Sequence, residues 1–279
     1  MTVNKVWFIT GAGSGIGTGI AKAALQAGDR VVATGRNLDK VRNALLDVAS
    51  EKLAFVQLDV ADEVQAKTAV DEAVKQFGRI DILVNNAGYS LLGNFEEMTT
   101  ADIEGQMSTN FYGVVYVMRA VLPVMRQQRS GHIINISSMA GVIGFEHCAA
   151  YAASKFAVEG LSLSVAAEVE GFGIKITLVE SGFFRTELLD AQNAKWTSQT
   201  IEDYAVLSAQ ETWSTYNGTQ QGDPAKLGDA LVKIAGMENP PKQFHAGSDA
   251  ITMIKPALEA RLQEIKGYEA LSTSTDGNF

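Results

Sequence analysis

The sequence predicts an α/β protein, a single doubly wound parallel sheet of about seven strands with helices on both faces. Three observations carry that expectation. Short β-branched runs alternate with amphipathic stretches along the chain. The runs are continuously apolar rather than alternating, which suits parallel strands covered on both faces. Gly28 and Gly78 each follow a helical stretch and precede a strand, where a left-handed cap is wanted.

Taken in order, the expected strands are Lys5–Ile9, Arg30–Thr34, Leu53–Leu58, Ile80–Asn85, His132–Ser137 and Lys175–Val179, with a weaker one at Gln243–His245. The expected helices between them are Ile16–Ala27, Leu38–Ala49, Glu63–Phe77, Thr100–Gln127 and Ala152–Glu170. Strand–helix–strand repetition implies right-handed crossovers. No Pro/Gly/Ser linker or shift of composition divides the chain, so residues 1–279 are expected to form one domain. One stretch breaks the rhythm. From Ser181 to Gln221, aromatic residues, among them Phe183, Trp196, Trp213 and Tyr216, are interspersed with polar ones directly after the sixth strand. Ligands of open α/β sheets bind at the carboxyl ends of strands, so this segment is expected to be a lid. The plainer alternative is a pair of short surface helices packing their aromatics inward.

Composition narrows the function. The chain has 279 residues, 46% hydrophobic and 20% charged, as globular proteins do. With 23 basic and 32 acidic residues its formal charge is −9, which argues against a nucleic acid as partner. Its one cysteine, Cys148, excludes an internal disulfide and fits a reducing compartment. The three histidines, His132, His147 and His245, are scattered, and no metal is expected. The N-terminus lacks a signal-peptide pattern, and no uninterrupted apolar window reaches the roughly 18 residues that suggest a membrane span. A cytoplasmic protein with no membrane partner is the expectation.

The chemistry begins at Thr10-Gly11-Ala12-Gly13-Ser14-Gly15-Ile16-Gly17, which closes the first strand and opens the first helix. Glycines let the backbone approach a ligand, and the helix N-terminus offers free N–H groups to a pyrophosphate. The strict G-x-G-x-x-G spacing is absent; Gly11, Gly15 and Gly17 are spaced G-x-x-x-G-x-G. A tight turn without a ligand is the plainer reading, but its place after the first strand favours a dinucleotide. At the end of the second strand, where NAD sites usually carry an acid, stands Arg36. A guanidinium can fork onto a 2′-phosphate, so NADP (NADPH) is the expected cofactor.

Three further motifs follow: Asn85-Asn86-Ala87-Gly88, Asn135-Ile136-Ser137-Ser138, and Tyr151-Ala152-Ala153-Ser154-Lys155, with Asn110 in the long helix between. Together with the glycine turn they make the chain resemble the short-chain dehydrogenase/reductase family from about Val3 to His245. The stretch from Gly247-Ser248-Asp249 onward resembles a bacterial and fungal subgroup often likened to 17β-hydroxysteroid dehydrogenases. The resemblance implies a Rossmann-type fold and hydride transfer between NADP(H) and a ketone or secondary alcohol. Tyr151 and Lys155 lie four apart, so on a helix they share a face. A tyrosine near pKa 10 holds its proton at neutral pH; a nearby ammonium favours the phenolate and is expected to lower it. Ser138 can hold the substrate oxygen while Tyr151 gives or takes its proton. The family role of Lys155 includes a bond to the nicotinamide ribose, and that of Asn110 is to hold a water leading to Lys155. The resemblance further implies cofactor contacts from Ser14, Ile16, Asp59, Val60, Ala87 and Gly88, and Asn86 belongs to the same set. After the sixth strand the family's P-G-x-x-x-T reads Ser181-Gly182-Phe183-Phe184-Arg185-Thr186. Gly182, Phe184 and Thr186 thus match the nicotinamide contacts, whereas Ser181 in place of proline is expected to free the hinge of the lid.

The expected activity is that of an NADPH-dependent carbonyl reductase or alcohol dehydrogenase. Two rivals stand beside it: a catalytically silent NADP(H)-binding sensor, and a nucleotide-sugar epimerase or dehydratase. Sensors of this kind usually lose the tyrosine or lysine, and epimerases carry a larger C-terminal domain. Tyr89, Leu91, Leu92, Phe145 and His147 flank the site and favour an apolar or aryl ketone over a sugar. Cys148, three residues before Tyr151, is expected to be a small buried hydrophobe rather than a nucleophile. The family implies a homodimer or homotetramer paired through the long helices at Thr100–Gln127 and Ala152–Glu170.

Overall fold

The computed structural model describes residues 4–190, 194–198, 200–204 and 208–277. The first three residues and parts of the expected lid, 191–193, 199 and 205–207, lie outside the described residues. In chain order the elements are β1 (Val6–Ile9), α1 (Gly15–Gln26), β2 (Arg30–Gly35), α2 (Leu38–Ala44), β3 (Leu53–Gln57), α3 (Glu63–Phe77), β4 (Ile82–Asn85), β5 (Leu91–Leu92), α4 (Thr100–Met107) and α5 (Gly113–Gln128). They continue with β6 (Gly131–Ile136), α6 (Ala149–Val169), β7 (Ile174–Ser181), β8 (Lys195–Trp196), α7 (Ala209–Ser214), α8 (Pro224–Ala235), β9 (Gln243–Ala246), α9 (Ser248–Gly267) and α10 (Glu269–Thr273).

Seven strands form a parallel sheet in the order β3-β2-β1-β4-β6-β7-β9, the Rossmann-type arrangement. Alternate residues of one apolar run serve opposite faces, which is why the runs are unbroken. Phe8, Val32, Leu83 and Ile133 point to the layer holding α3, α5 and α6. Trp7, Ile9, Val31, Ile82, Val84 and Ile134 point to the layer of α1, α2 and α8. In that second layer α1 and α8 touch backbone to backbone: a Cβ on Gly228 would lie 2.5 Å from Gly19 O. Gly78 caps α3 at φ 79°, in the left-handed region expected of it. The chain order reverses between β1, which leads outward through β2 and β3, and β4, which leads through β6, β7 and β9. A crevice opens there at the carboxyl ends of the strands.

Strand limits differ from those expected by one or two residues, and the helices differ more. The single helix expected over Thr100–Gln127 is α4 and α5 joined by a π-helical turn, Ser108–Tyr112, which carries Asn110. The helix from Leu38 ends at Ala44 and tightens into a 3₁₀ turn at Leu46–Val48. Helix α6 begins at Ala149, so Tyr151 sits in its first turn. The segment after β7 is not a detached excursion. Its β8 pairs with β5, Lys195 N donating to Ser90 O and Thr197 N to Leu92 O. The buried carboxylate of Glu97 accepts hydrogen bonds from Thr200 N at 2.7 Å and Ile201 N at 3.0 Å. Helix α9 braces its start, where Asp249 Oδ2 accepts from Phe183 N at 2.7 Å. Among the described residues no helix is long and apolar enough to cross a membrane.

Candidate active site

The glycine turn between β1 and α1 forms one wall of the crevice. Gly11 has φ 66°, and a Cβ there would come 2.9 Å from Ala87 Cα. Gly15 has φ 52° and would place a Cβ 2.9 Å from Thr186 Cγ2. A side chain at either would meet these neighbours and crowd the wall, so both glycines keep a cradle clear. Ser14 precedes α1 in extended conformation without its side chain capping an amide among the described residues. The first-turn N–H groups of α1 therefore remain available to an anion.

The cleft has a volume of about 330 Å³. Arg36 lies at its β2 end, beside Lys40 of α2, which sequence reasoning missed. Lys40 also reaches Glu187 across the cleft, Nζ to Oε2 3.2 Å. Gly11, Ser14, Gly15, Ile16, Asp59, Val60, Asn86, Ala87, Gly88 and Thr186 line the cleft as expected of cofactor contacts, and Asn110, Tyr151 and Lys155 line its other end. The residue types fit a dinucleotide: an open glycine cradle, free amides at a helix N-terminus, and cations where an adenosine phosphate would lie.

Other expected contacts fall elsewhere. Asn86 lines the cleft, but its amide donates to Thr10 O and Gly11 O, at 3.0 and 3.1 Å, so it holds the turn. Thr10, not singled out from sequence, locks the same junction: its hydroxyl accepts from Asn86 N and Ala87 N. Gly17 does not reach the cleft. Its backbone packs against the turn, where a Cβ would lie 2.3 Å from Gly11 O. Gly182 abuts Asp249 and Phe184 bridges to Gly222; both border a second, smaller cavity. Nor does Ser181 loosen the hinge. It ends β7 in register with Ala246, is buried, and donates from Oγ to Ser137 O at 3.4 Å.

At the far end of the cleft, β6 and the first two turns of α6 bring three side chains together. Ser138 follows β6 and accepts from Ala140 N through Oγ, which starts a 3₁₀ turn. Ser138 and Tyr151 both border the smaller cavity. Lys155, one turn beyond Tyr151, is buried, and its Nζ donates to Ile136 O at 2.8 Å and lies 5.6 Å from the Tyr151 ring centre. The π turn points Asn110 inward. It accepts from Tyr89 N at 3.1 Å and donates to Tyr89 O at 3.0 Å, and so fixes the loop after β4. Burial holds Lys155 down to about 8, against the pull of Glu159 four residues on. Glu159 is itself pushed up to about 7, chiefly by burial. The lowering expected for Tyr151 is reversed in the protein itself: burial, then Cys148, push the phenol above its ordinary value, and Ser138 only partly opposes them.

Tyr151 also borders the smaller cavity, of about 80 Å³, walled by Leu92, Phe145, Cys148, Phe183 and Trp213, with Ser138 on its rim. Phe183 stacks on Tyr216 with ring centres 4.6 Å apart and meets Trp213 edge-on at 6.1 Å. Trp196 and His147 do not border this cavity. His147 stands behind it, at φ 58°, with Nδ1 2.8 Å from Asn94 Oδ1. Leu91 belongs to a separate cluster with Met98 and Ala150. Burial pushes the Cys148 thiol up to about 12, which makes it an inert wall. Among the described residues no group of three His, Cys, Asp or Glu side chains is placed to hold a metal ion.

Comparison with known proteins agrees with this geometry. The profile of the family described as short chain dehydrogenase matches residues 5–196. Oxidoreductase BOA17 of Botryotinia fuckeliana is 37% identical over 273 residues, 98% of this chain and 100% of that one. The 3-ketodihydrosphingosine reductase of Bacteroides thetaiotaomicron is 38% identical over 248 residues, covering 87% and 88%. Among solved structures, a short-chain dehydrogenase from Streptomyces avermitilis superposes with a TM-score of 0.90 at 34% identity, over 99% of this chain and 100% of that one. ElxO with NADP bound superposes with a TM-score of 0.75 at 29% identity, over 90% and 100%.

Proposed function

The chain belongs to the short-chain dehydrogenase family and is an oxidoreductase, and from that premise we propose that it is an NADPH-dependent carbonyl reductase, reversible as an alcohol dehydrogenase. The observation that carries the reading is the position of Tyr151 where two cavities meet. Lys155 stands on the side of the cation-ended cleft, and Ser138 on the side of the apolar cavity. NADPH, bound along the cleft by the glycine turn, α1 and Arg36, would supply hydride to the carbonyl carbon. The chain's own residues then handle the oxygen. Ser138 holds it by a hydrogen bond, and Tyr151 Oη donates the proton. A phenol held above its ordinary pKa keeps that proton until the oxygen becomes basic. The Lys155 ammonium, anchored on Ile136 O, stabilises the phenolate left behind. Asn110 keeps the β4 loop, and with it Gly88, against the cofactor cleft.

Arg36 and Lys40 support NADP over NAD, as does the likeness to ElxO, whose solved structure holds NADP. The ketone class is supported by the aromatic lining of the small cavity and by a relative named for reducing a ketone. We read the chain as one catalytic domain in which 181–221 is the substrate lid, and as a cytoplasmic homo-oligomer. Tyr112, Phe156 and Leu163, exposed on the π turn and α6, support self-association. The test is NADPH oxidation against a panel of ketones. Tyr151→Phe should cut kcat by roughly 100-fold or more and leave NADPH affinity nearly unchanged. A variant turning over within a few-fold of the parent would exclude Tyr151 as the acid, and a parent inert to every ketone would favour a silent NADP(H)-binding protein.

A further inference from the structure

Helix α9 touches the body only near its start. Ala250 and Ile254 are buried in one cluster with Met139, and Asp249 accepts from Phe183 N. From Leu258 to Gly277 every residue is exposed, so the second half of α9 and all of α10 stand clear of the protomer. Yet this stretch is not uniformly polar. Ile251, Leu258, Leu262 and Ile265 follow one another at seven, four and three residues, which sets them along one side of the helix. The last three are 41%, 56% and 60% exposed. A helix standing alone in water is marginal, and most helical stability comes from covering such a stripe. Contiguous apolar surface of this kind marks an interaction site.

The flanking charges say what covers it. Glu259 and Lys266 lie on one side of the stripe and Arg261 and Glu264 on the other. Among the described residues none of the four is in an ion pair within the protomer. We propose that α9 pairs with α9 of a second copy, antiparallel about a two-fold axis at Leu262. In that arrangement Leu262 meets its own counterpart, and Leu258, four residues before it, meets Ile265, three after. Glu259 falls level with the second copy's Lys266, and Arg261 with its Glu264, each within one residue, about 1.5 Å along the axis. The two-fold axis repeats both contacts, so every one of these charges meets its opposite. Lys255 comes level with Glu269, at the start of α10. A parallel pair would instead set Glu259 on Glu259 and Lys266 on Lys266. An anionic membrane is a poor cover, because acids stand among the bases beside the stripe and the chain carries −9. The surface shares no residue with Tyr112, Phe156 and Leu163, so it adds to any assembly made there. The stripe from Ile251 to Ile265 is about 21 Å long, which places the interface at the small end of specific contacts, with association at micromolar concentration.

Sedimentation of the full chain, at up to roughly 300 µM, tests the pairing. The parent should associate reversibly. Leu262→Asp should halve the mass of the particle while the near-ultraviolet spectrum of the folded body is kept. Glu259→Lys and Lys266→Glu should each weaken association roughly ten-fold, and the two together should restore it. Leu262→Cys should oxidise to a linked pair, whereas Ile251→Cys, at the far end of the stripe, should not; the native Cys148 is buried. Equal masses for the parent and Leu262→Asp overturn the proposal. Linkage at Ile251 as readily as at Leu262 overturns it too, since it means parallel helices, as does failure of the double charge reversal to restore association. Binding to phosphatidylcholine–phosphatidylserine vesicles that Leu262→Asp abolishes, with mass unchanged, would assign the stripe to a membrane instead.

Discussion

At the scale of single residues, the proposed preference for NADPH rests on cations at the end of β2. Arg36 and Lys40 both border the cleft, so NADPH should be preferred over NADH. Charge-assisted bonds to a phosphate are worth about 1.5–3 kcal/mol, and Arg36→Leu should therefore reduce the preference roughly ten- to a hundred-fold. Comparison of kcat/KM for the two cofactors checks this; equal values in the parent would remove the assignment. Adding an acid at Gly35 to complete a switch has a steric cost, since a Cβ there would lie 2.8 Å from Val41 Cγ2. Lys155→Ala should weaken both turnover and cofactor affinity, and unchanged affinity would contradict its double service. Arg36 and Lys155 were legible in the sequence because each carries chemistry at a motif position, whereas Lys40 is brought to the cleft by the start of α2. The roles of Thr10 and of Asn86 were not, since a hydroxyl or amide spent on backbone groups leaves no mark in one sequence.

At the scale of elements, the sheet was legible nearly to the residue because both faces of each strand are buried and the runs are therefore unbroken. The π turn at Ser108–Tyr112 was not, as an inserted residue hardly alters the apolar periodicity of a helix. Helix α8 had a readable start in Asp223-Pro224, where Asp223 Oδ1 accepts from Ala225 N. The segment 181–221 packs aromatics inward, and the wall they make is that of the smaller cavity, which we propose takes the substrate. As a lid it should exchange hydrogen faster than the strands behind it, and protection should rise there on adding NADP with a substrate analogue. Slow exchange in the free enzyme would make it part of the fixed core. Trp213→Ala should shift kcat/KM between small and bulky ketones, whereas Trp196, off the cavity, should matter less. Glu97 is the latch. Bonds from Ile201 N, Thr200 N and Asn94 hold its carboxyl below the usual range, so the fastening weakens as pH falls through that lowered value. Glu97→Ala should raise exchange around 200–204 and raise KM with kcat less affected; an unchanged exchange pattern would show that the β5–β8 pairing alone holds the segment.

Across the whole molecule, buried ionisable groups set how stability follows pH, and the functional site opposes the rest of the core. His132, on β6, is held neutral by burial and brought down to about 4 from 6.5. Between those values the unfolded chain binds more protons, so this histidine makes stability rise with pH, with its full contribution above 6.5. Glu159 is brought up from 4.5 to about 7, mainly by burial, with Glu180 on β7 adding repulsion. Its contribution has the opposite sign: present in full below 4.5, and lost as pH rises through 7. Lys155 and Glu180 are the charged groups around it. The two slopes oppose each other from pH 4.5 to 6.5, and Glu180, raised by burial, acts with the same sign as Glu159. Glu159→Gln should remove one of them. Urea unfolding of the parent and variant across that range should give a variant curve that climbs with pH relative to the parent's. The variant should gain on the parent by about 1–3 kcal/mol on going from pH 4.5 to 7. The gain follows from sign alone, because an amide cannot be forced to ionise in the space beside Lys155. Parallel curves would mean that Glu159 is solvated in the folded protein, and the stability cost of placing an acid behind Lys155 would have to be sought at Glu180.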